Sequence, residues 1–205
     1  MTVLWIMIKG VLTGLLLSIY LGPSFFTVME TTLRRGAKPA LFLNSGVWLS
    51  DIAVIILAYF GASRLMEPIE HNVIIKLVAG CAFLFFGLSY FLRKPTETIK
   101  PLDGVGVLIL FAKGFAINTL NPGIFVFWFG AMIVAVTNLD LHGIQLLYYF
   151  AGTVMTMMAV DLLKILFSHK LRKMITETVM VRIFRFTGII LMALGIFVMI
   201  SACWS

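Results

Sequence analysis

Residues 105–137 read VGVLILFAKGFAINTLNPGIFVFWFGAMIVAVT. A helix needs about 20 mostly apolar residues to cross a bilayer, and this run holds about 33 with Lys113 as its one charge. Its second half carries a breaker, Asn121-Pro122-Gly123. Proline inside a helix removes a backbone hydrogen bond and clashes with the preceding turn. The stretch therefore predicts a membrane helix that stops and restarts at Pro122. Residues 3–30 repeat the design: Lys9-Gly10 comes early, Gly22-Pro23 later, and the apolar, aromatic Ser24-Phe25-Phe26 follows, as Ile124-Phe125-Val126-Phe127-Trp128 follows Pro122. The Lys-to-Pro spacings differ, 14 residues against 9.

Working outward, four more apolar runs lie at about 40–63, 71–92, 143–167 and 183–203. Composition agrees with a lipid environment. Of 205 residues 61% are hydrophobic and only 12% charged, whereas a soluble domain is about half apolar and about one quarter charged. So short a chain could not hide that much apolar surface from water. The expected fold is an all-α membrane protein with six transmembrane helices, the first and fourth broken at proline.

The net charge of +7 does not point to nucleic acid, because the basic residues sit in short loops between apolar runs. Arg34, Arg35 and Lys38 follow the first span; Arg93, Lys94 and Lys100 the third; Lys170, Arg172, Lys173, Arg182 and Arg185 the fifth. The other loops offer Arg64 and Lys76 beside Glu67, Glu70 and Asp140. The excess of Lys and Arg places the odd-numbered loops in the cytoplasm of an inner (plasma) membrane, with both termini outside. Lys9 follows an apolar stretch, and no small-residue cleavage site interrupts the run to Met29, so the N-terminal segment is expected to stay as a first helix.

Three spans per half force the second half to insert upside down. The expectation is one domain over 1–205, made of two inverted three-helix repeats at about 1–98 and 99–205. That architecture is common among secondary transporters, whose sites lie at interrupted helices in matching places of the two halves. Backbone groups freed by a break must be satisfied by protein, water or ligand, and a restarting helix offers its amides to an anion. Gly22, Pro23, Ser24, Asn118, Asn121 and Pro122 are therefore the candidate binding residues. A plain proline kink is the alternative.

Asp51 falls about eleven residues into the second span. A carboxylate there is costly unless it faces protein or a wet cavity, which makes function the default reading. Asp51 and, in the fifth span, Asp161 are candidates to carry a proton. Lys164, three residues beyond Asp161, offers a local ion pair instead. Lys113 is expected to pair with Asp51 or Asp161; Lys9 can snorkel to the interface. Gly10, Gly14, Gly188 and Gly195 read as close helix packing, and Trp48, Trp128, Tyr148 and Tyr149 as packing or interface anchors. His71, His142 and His169 are spread out, so no metal site is expected. Cys81 and Cys203 lie in apolar runs without a partner at redox or metal spacing. No cofactor is implied. There is no nucleophile elbow, phosphate-cradling loop or paired-histidine motif, so neither an enzyme nor an ATP-driven pump is predicted.

At these residues the sequence resembles the LysE/RhtB family of amino-acid exporters, over nearly the whole chain. Gly14 through Ser18 to Gly22-Pro23-Ser24 is similar to that family's S-x-x-P-G-P-N segment. Leu33-Arg34-Arg35-Gly36, then Gly46 and Asp51, then Lys113-Gly114-Phe115 through Asn118 and Asn121-Pro122 follow in the family's order, as does Arg185 through Gly188 to Gly195. Leu21, Ser24 and Gly123 depart from the family pattern. The resemblance implies a secondary exporter of amino acids or related small metabolites, proton-coupled and often a homodimer, embedded in the lipid bilayer. Three other readings stay open: a metal-ion exporter of the same fold, a thiol-based electron carrier, and a non-transporting membrane scaffold.

Overall fold

A computed structural model describes residues 2–19, 22–71, 73–92, 106–168 and 177–202. Among the described residues there is no strand. The helices are α1 (Val3–Ser18), α2 (Pro23–Arg35), α3 (Ala37–His71), α4 (Val73–Phe91), α5 (Val107–Thr119), α6 (Pro122–Ile133), α7 (Ile144–Leu166) and α8 (Glu177–Ala202), with a π-turn at Val134–Asn138. Leu21, Arg93, Lys94, Lys100, His169, Lys170, Arg172, Lys173 and Cys203 lie outside the described residues, as do the side chains of Pro23, Arg64, Glu67, Glu70, His71 and Lys76.

Three of these helices are long and apolar enough to cross a membrane: Ala37–Gly61, Ile144–Leu166 and Val181–Ser201. A fourth candidate is the pair Val107–Thr119 and Pro122–Asn138, bent by 67° at the break. Val3–Ser18 and Gly80–Phe91 are shorter apolar helices. Large apolar side chains such as Leu4, Leu16, Phe60, Phe85, Leu108 and Phe197 stand exposed, an arrangement suited to hydrocarbon because each helix satisfies its own backbone.

Local chemistry fixes the helix limits. Pro23 and Pro122 each stand in the first turn, after the extended Gly22 and Asn121; proline lacks only an N–H that the first turn leaves unpaired. The Asn121 side chain accepts the Gly123 N–H at 3.0 Å and caps α6. At the far end of α2, Gly36 adopts φ +87°, which favours glycine, and Arg34 and Arg35 stand in the negative last turn.

The chain forms two compact units. The first contains residues 1–56 and 104–173 and is built from α1, α2, the start of α3, α5, α6 and α7. Within it, α1 lies on α7 so closely that a Cβ on Gly10 would overlap the Tyr149 carbonyl, and one on Gly14 would come 2.6 Å from the Thr153 carbonyl. A Cβ on Gly152 would come 2.9 Å from the Met7 carbonyl. The α3–α5 pair repeats this contact: a Cβ on Gly114 would overlap the Leu43 carbonyl, and one on Gly46 the Phe111 carbonyl. Along α1 and α7 the contacts advance together, from Gly10 with Tyr149 to Gly14 with Thr153, and along α3 and α5 they run from Leu43 with Gly114 to Ser50 with Thr119, so both pairs are parallel.

The second unit holds residues 57–103 and 174–205. Here α4 and α8 pack antiparallel through reciprocal glycines. A Cβ on Gly80 would lie 2.9 Å from the Gly195 carbonyl and one on Gly195 2.8 Å from that of Gly80; Gly87 and Gly188 face each other likewise, at 2.8 and 2.6 Å. Between helices in lipid, where no hydrophobic force draws them together, such backbone approach supplies van der Waals contact. Tyr90 packs edge-on against Phe184, with ring centroids 6.3 Å apart.

Candidate functional site

The interrupted region of the first unit contains a partly open cavity of about 90 Å³, lined by residues of α1, α2, α3, α5, α6 and α7. On a scale where one water needs about 10–15 Å³, this holds several waters or a small solute. Gly22 and Ser24 reach it from the start of α2, Asn118 and Asn121 from the end of α5 and the cap of α6, Asp51 from α3, and Asp161 with Lys164 from α7.

A continuous set of hydrogen bonds runs along its wall. Ser24 Oγ donates to Asn118 Oδ1 at 2.8 Å. The Asn118 amide donates to Asp51 Oδ1 at 3.1 Å and to the Val47 carbonyl at 3.3 Å. Trp128 Nε1 donates to the same Asp51 oxygen at 3.0 Å. Ser50 and Thr119 pair beside it at 2.8 Å. Ser24, Asp51, Asn118, Asn121 and Trp128 are all buried, and buried polar groups left unpaired are costly. These contacts hold two helix ends and one carboxylate in fixed register.

A second cluster centres on Asp161. Its Oδ2 accepts Trp48 Nε1 at 3.0 Å and the Asn44 amide at 3.5 Å; its Oδ1 accepts Lys164 Nζ at 3.1 Å. Lys164 also stands over the Phe25 ring, 5.5 Å from its centroid, as a cation–π contact. Asp161 and Lys164 are one-fifth exposed, 21% and 18%, so this pair is far less screened than a surface one.

Lys113, which the sequence directs toward Asp51 or Asp161, is half-buried on α5 and interacts electrostatically with Glu30 of α2. Glu30 in turn pairs with Arg34 at 3.0 Å. The cation on Asp161 is Lys164, whereas Asp51 takes neutral donors, the Asn118 amide and the Trp128 indole. Pro23 and Pro122 open α2 and α6. Among the described residues, no group of three or more His, Cys, Asp or Glu stands together to hold a metal ion.

The chain matches the family described as LysE type translocator over residues 15–202. It belongs to that family. The chain is thus a multi-pass membrane protein. It is similar to proteins named "Leucine efflux protein" in Salmonella typhimurium, Salmonella paratyphi A and Salmonella typhi, each 26% identical over 115 residues that cover 52% of this chain and 52% of the relative. The chain spans about half the length of these curated relatives in the match. No solved structure matches it.

The site of this LysE-family member contains donors that residue type alone did not assign. Trp48 and Trp128 read as packing or interface anchors, yet each gives its indole N–H to a carboxylate. The available signal was the indole itself, since a buried Trp N–H usually finds an acceptor. Two tryptophans and two carboxylates inside apolar runs were therefore candidate pairs. Which Trp meets which Asp depends on the packing of α3 with α6 and α7.

Proposed function

We propose that this LysE-type translocator is a secondary exporter of amino acids or related small metabolites, which leave the cytoplasm by alternating access. The observation that carries the reading is the buried hydrogen-bond chain Ser24–Asn118–Asp51–Trp128, which links both proline-started helices to one buried carboxylate at a cavity. The leucine efflux relatives support an amino acid as the substrate class.

In this reading α1–α2, α3, α4, α5–α6, α7 and α8 are six spans of an inner-membrane protein, arranged as two inverted three-helix repeats at about 1–98 and 99–205. Both termini lie outside. The packing supports it. The contacts of α1 with α7 recur in α5 with α3 at shifts of 104 and 106 residues: Gly10 on Tyr149 matches Gly114 on Leu43, and Gly152 on Met7 matches Gly46 on Phe111. Gly80 and Gly87 of α4 match Gly188 and Gly195 of α8 at a shift of 108. Parallel α1–α7 and α3–α5 pairs and an antiparallel α4–α8 pair are what six alternating spans require.

Asp51 exchanges protons between the two membrane faces, with Asp161 as the second acid, and the substrate occupies the cavity between Gly22-Pro23-Ser24 and Asn118 to Pro122. Two copies form a homodimer. The test is export of labelled leucine from vesicles holding the purified protein under an imposed proton gradient. Asp51→Asn keeps an oxygen for Trp128 and Asn118 but cannot ionise, so export falls about tenfold or more, the scale of one charged interaction. Full gradient-dependent export in that variant removes Asp51 from the mechanism.

A further inference from the structure

The polar groups at the cavity differ in how far they are already satisfied. Asp51 Oδ1 takes two donors, from Asn118 and Trp128, while Oδ2 has none among the described residues. Asp51 is 8% exposed and lines the cavity, so one oxygen of a largely buried carboxylate stands ready for a cation. Asp161 is different: Lys164 takes one of its oxygens, and Trp48 with Asn44 takes the other. Lys164 spends one of its three N–H groups on Asp161 and rests on the face of Phe25, leaving donors for an anion at the same cavity. Beside Ser18, Ser24 and Asn121, the remaining wall is mostly apolar, including Leu17, Val28, Val47, Ile124, Phe127 and Met157.

We propose that Lys164 and Asp51 are the two poles of a zwitterion site, with Lys164 receiving the substrate's α-carboxylate and Asp51 Oδ2 its α-ammonium. This rests on the exporter reading above and assigns the recognition groups within it. The charge balance supports it. Two acids and one base line the cavity, so a net-neutral zwitterion with opposite ends meets an opposite charge at each pole. Its side chain lies against the aliphatic and aromatic wall, where a second charged group would lose hydration without gaining a partner. The substrate class is an amino acid with an uncharged, apolar side chain. Asp161 positions Lys164 and does not touch the substrate.

The test compares leucine with leucinamide, which keeps the ammonium and lacks the carboxylate, binding to the purified full chain in detergent and competing for export in vesicles. Wild type is expected to bind leucine about tenfold or more tightly than the amide, as one charge-assisted hydrogen bond implies. Lys164→Met collapses that ratio toward one, and Lys164→Arg restores it. Asp51→Asn weakens both ligands together. Equal binding of the two ligands by wild type overturns the assignment without any variant, so a poorly folding Lys164→Met does not shield it. An unchanged ratio in a folded Lys164→Met with leucine export intact overturns the poles alone. A wild-type protein that exports no amino acid overturns the exporter reading and this assignment with it.

Discussion

The α1–α7 and α3–α5 pairs rest on the same backbone contact, glycine on one helix against a carbonyl on the other, repeated in both directions. Their chemistry diverges. At the shifts that superimpose them, Asn118 corresponds to Gly14 and Asp51 to Met157. The α1–α7 pair is closed by hydroxyls: Thr153 Oγ1 bonds the Gly10 carbonyl at 3.1 Å and that of Tyr149 at 2.9 Å, and Thr13 meets the Tyr149 hydroxyl at 2.8 Å. The α3–α5 pair carries a carboxylate and an amide at a cavity, and the carboxylate takes the indole N–H of Trp128 from α6. Backbone packing and polar chemistry are thus separable. The first needs only small residues at the contact, and the second needs particular side chains on one copy of it.

The largest test of that separation strikes the shared contact itself. In Gly46→Ala the new methyl overlaps the Phe111 carbonyl, while in Gly152→Ala it meets the Met7 carbonyl at 2.9 Å. Overpacking costs about 1–3 kcal/mol and more where backbone must move. Gly46→Ala is therefore the more damaging of the two, read by denaturation in detergent. Equal losses would show that α3 and α5 separate as easily as α1 and α7.

A smaller effect is expected from Trp128→Phe, which keeps the ring packing and deletes the donor to Asp51. Loss of a buried partner to a charged group costs about 1–3 kcal/mol, and export falls with it because Asp51 loses its fixed orientation. Retained export with lowered stability would confine the indole to packing. The smallest is Tyr149→Phe, which removes the bond to Thr13. One ordinary hydrogen bond contributes about 0.5–1.5 kcal/mol, and export at wild-type rate is expected. A loss of export there would move chemistry onto the α1–α7 pair.

Several parts of this site were legible in the sequence because they follow from one residue and its neighbours. Pro23 and Pro122 stand where helices begin, since proline cannot continue a turn that precedes it. Asp51 draws attention because an acid within an apolar run must face something polar, and Lys164 was visible three residues from Asp161. Other features were hidden. Lys113 reads as equally near to Asp51 and Asp161 along an apolar stretch, but on α5 it stands within electrostatic reach of Glu30. The matching of Trp48 with Asp161 and Trp128 with Asp51 spans 113 and 77 residues, a separation over which no periodicity carries information.

What the sequence alone determined is which runs of this chain are apolar enough for lipid, that helices start at Pro23 and Pro122, and which few polar residues must be sheltered. Those follow from transfer free energies and backbone valence, which act locally. The tertiary structure alone decided which sheltered groups meet among the described residues: Asn118 and Trp128 on Asp51, Lys164 rather than Lys113 on Asp161, and donors on both oxygens of Asp161 but on one of Asp51. Rotation of a helix by one residue turns a side chain by about 100°, and only the close glycine contacts between helices fix that angle.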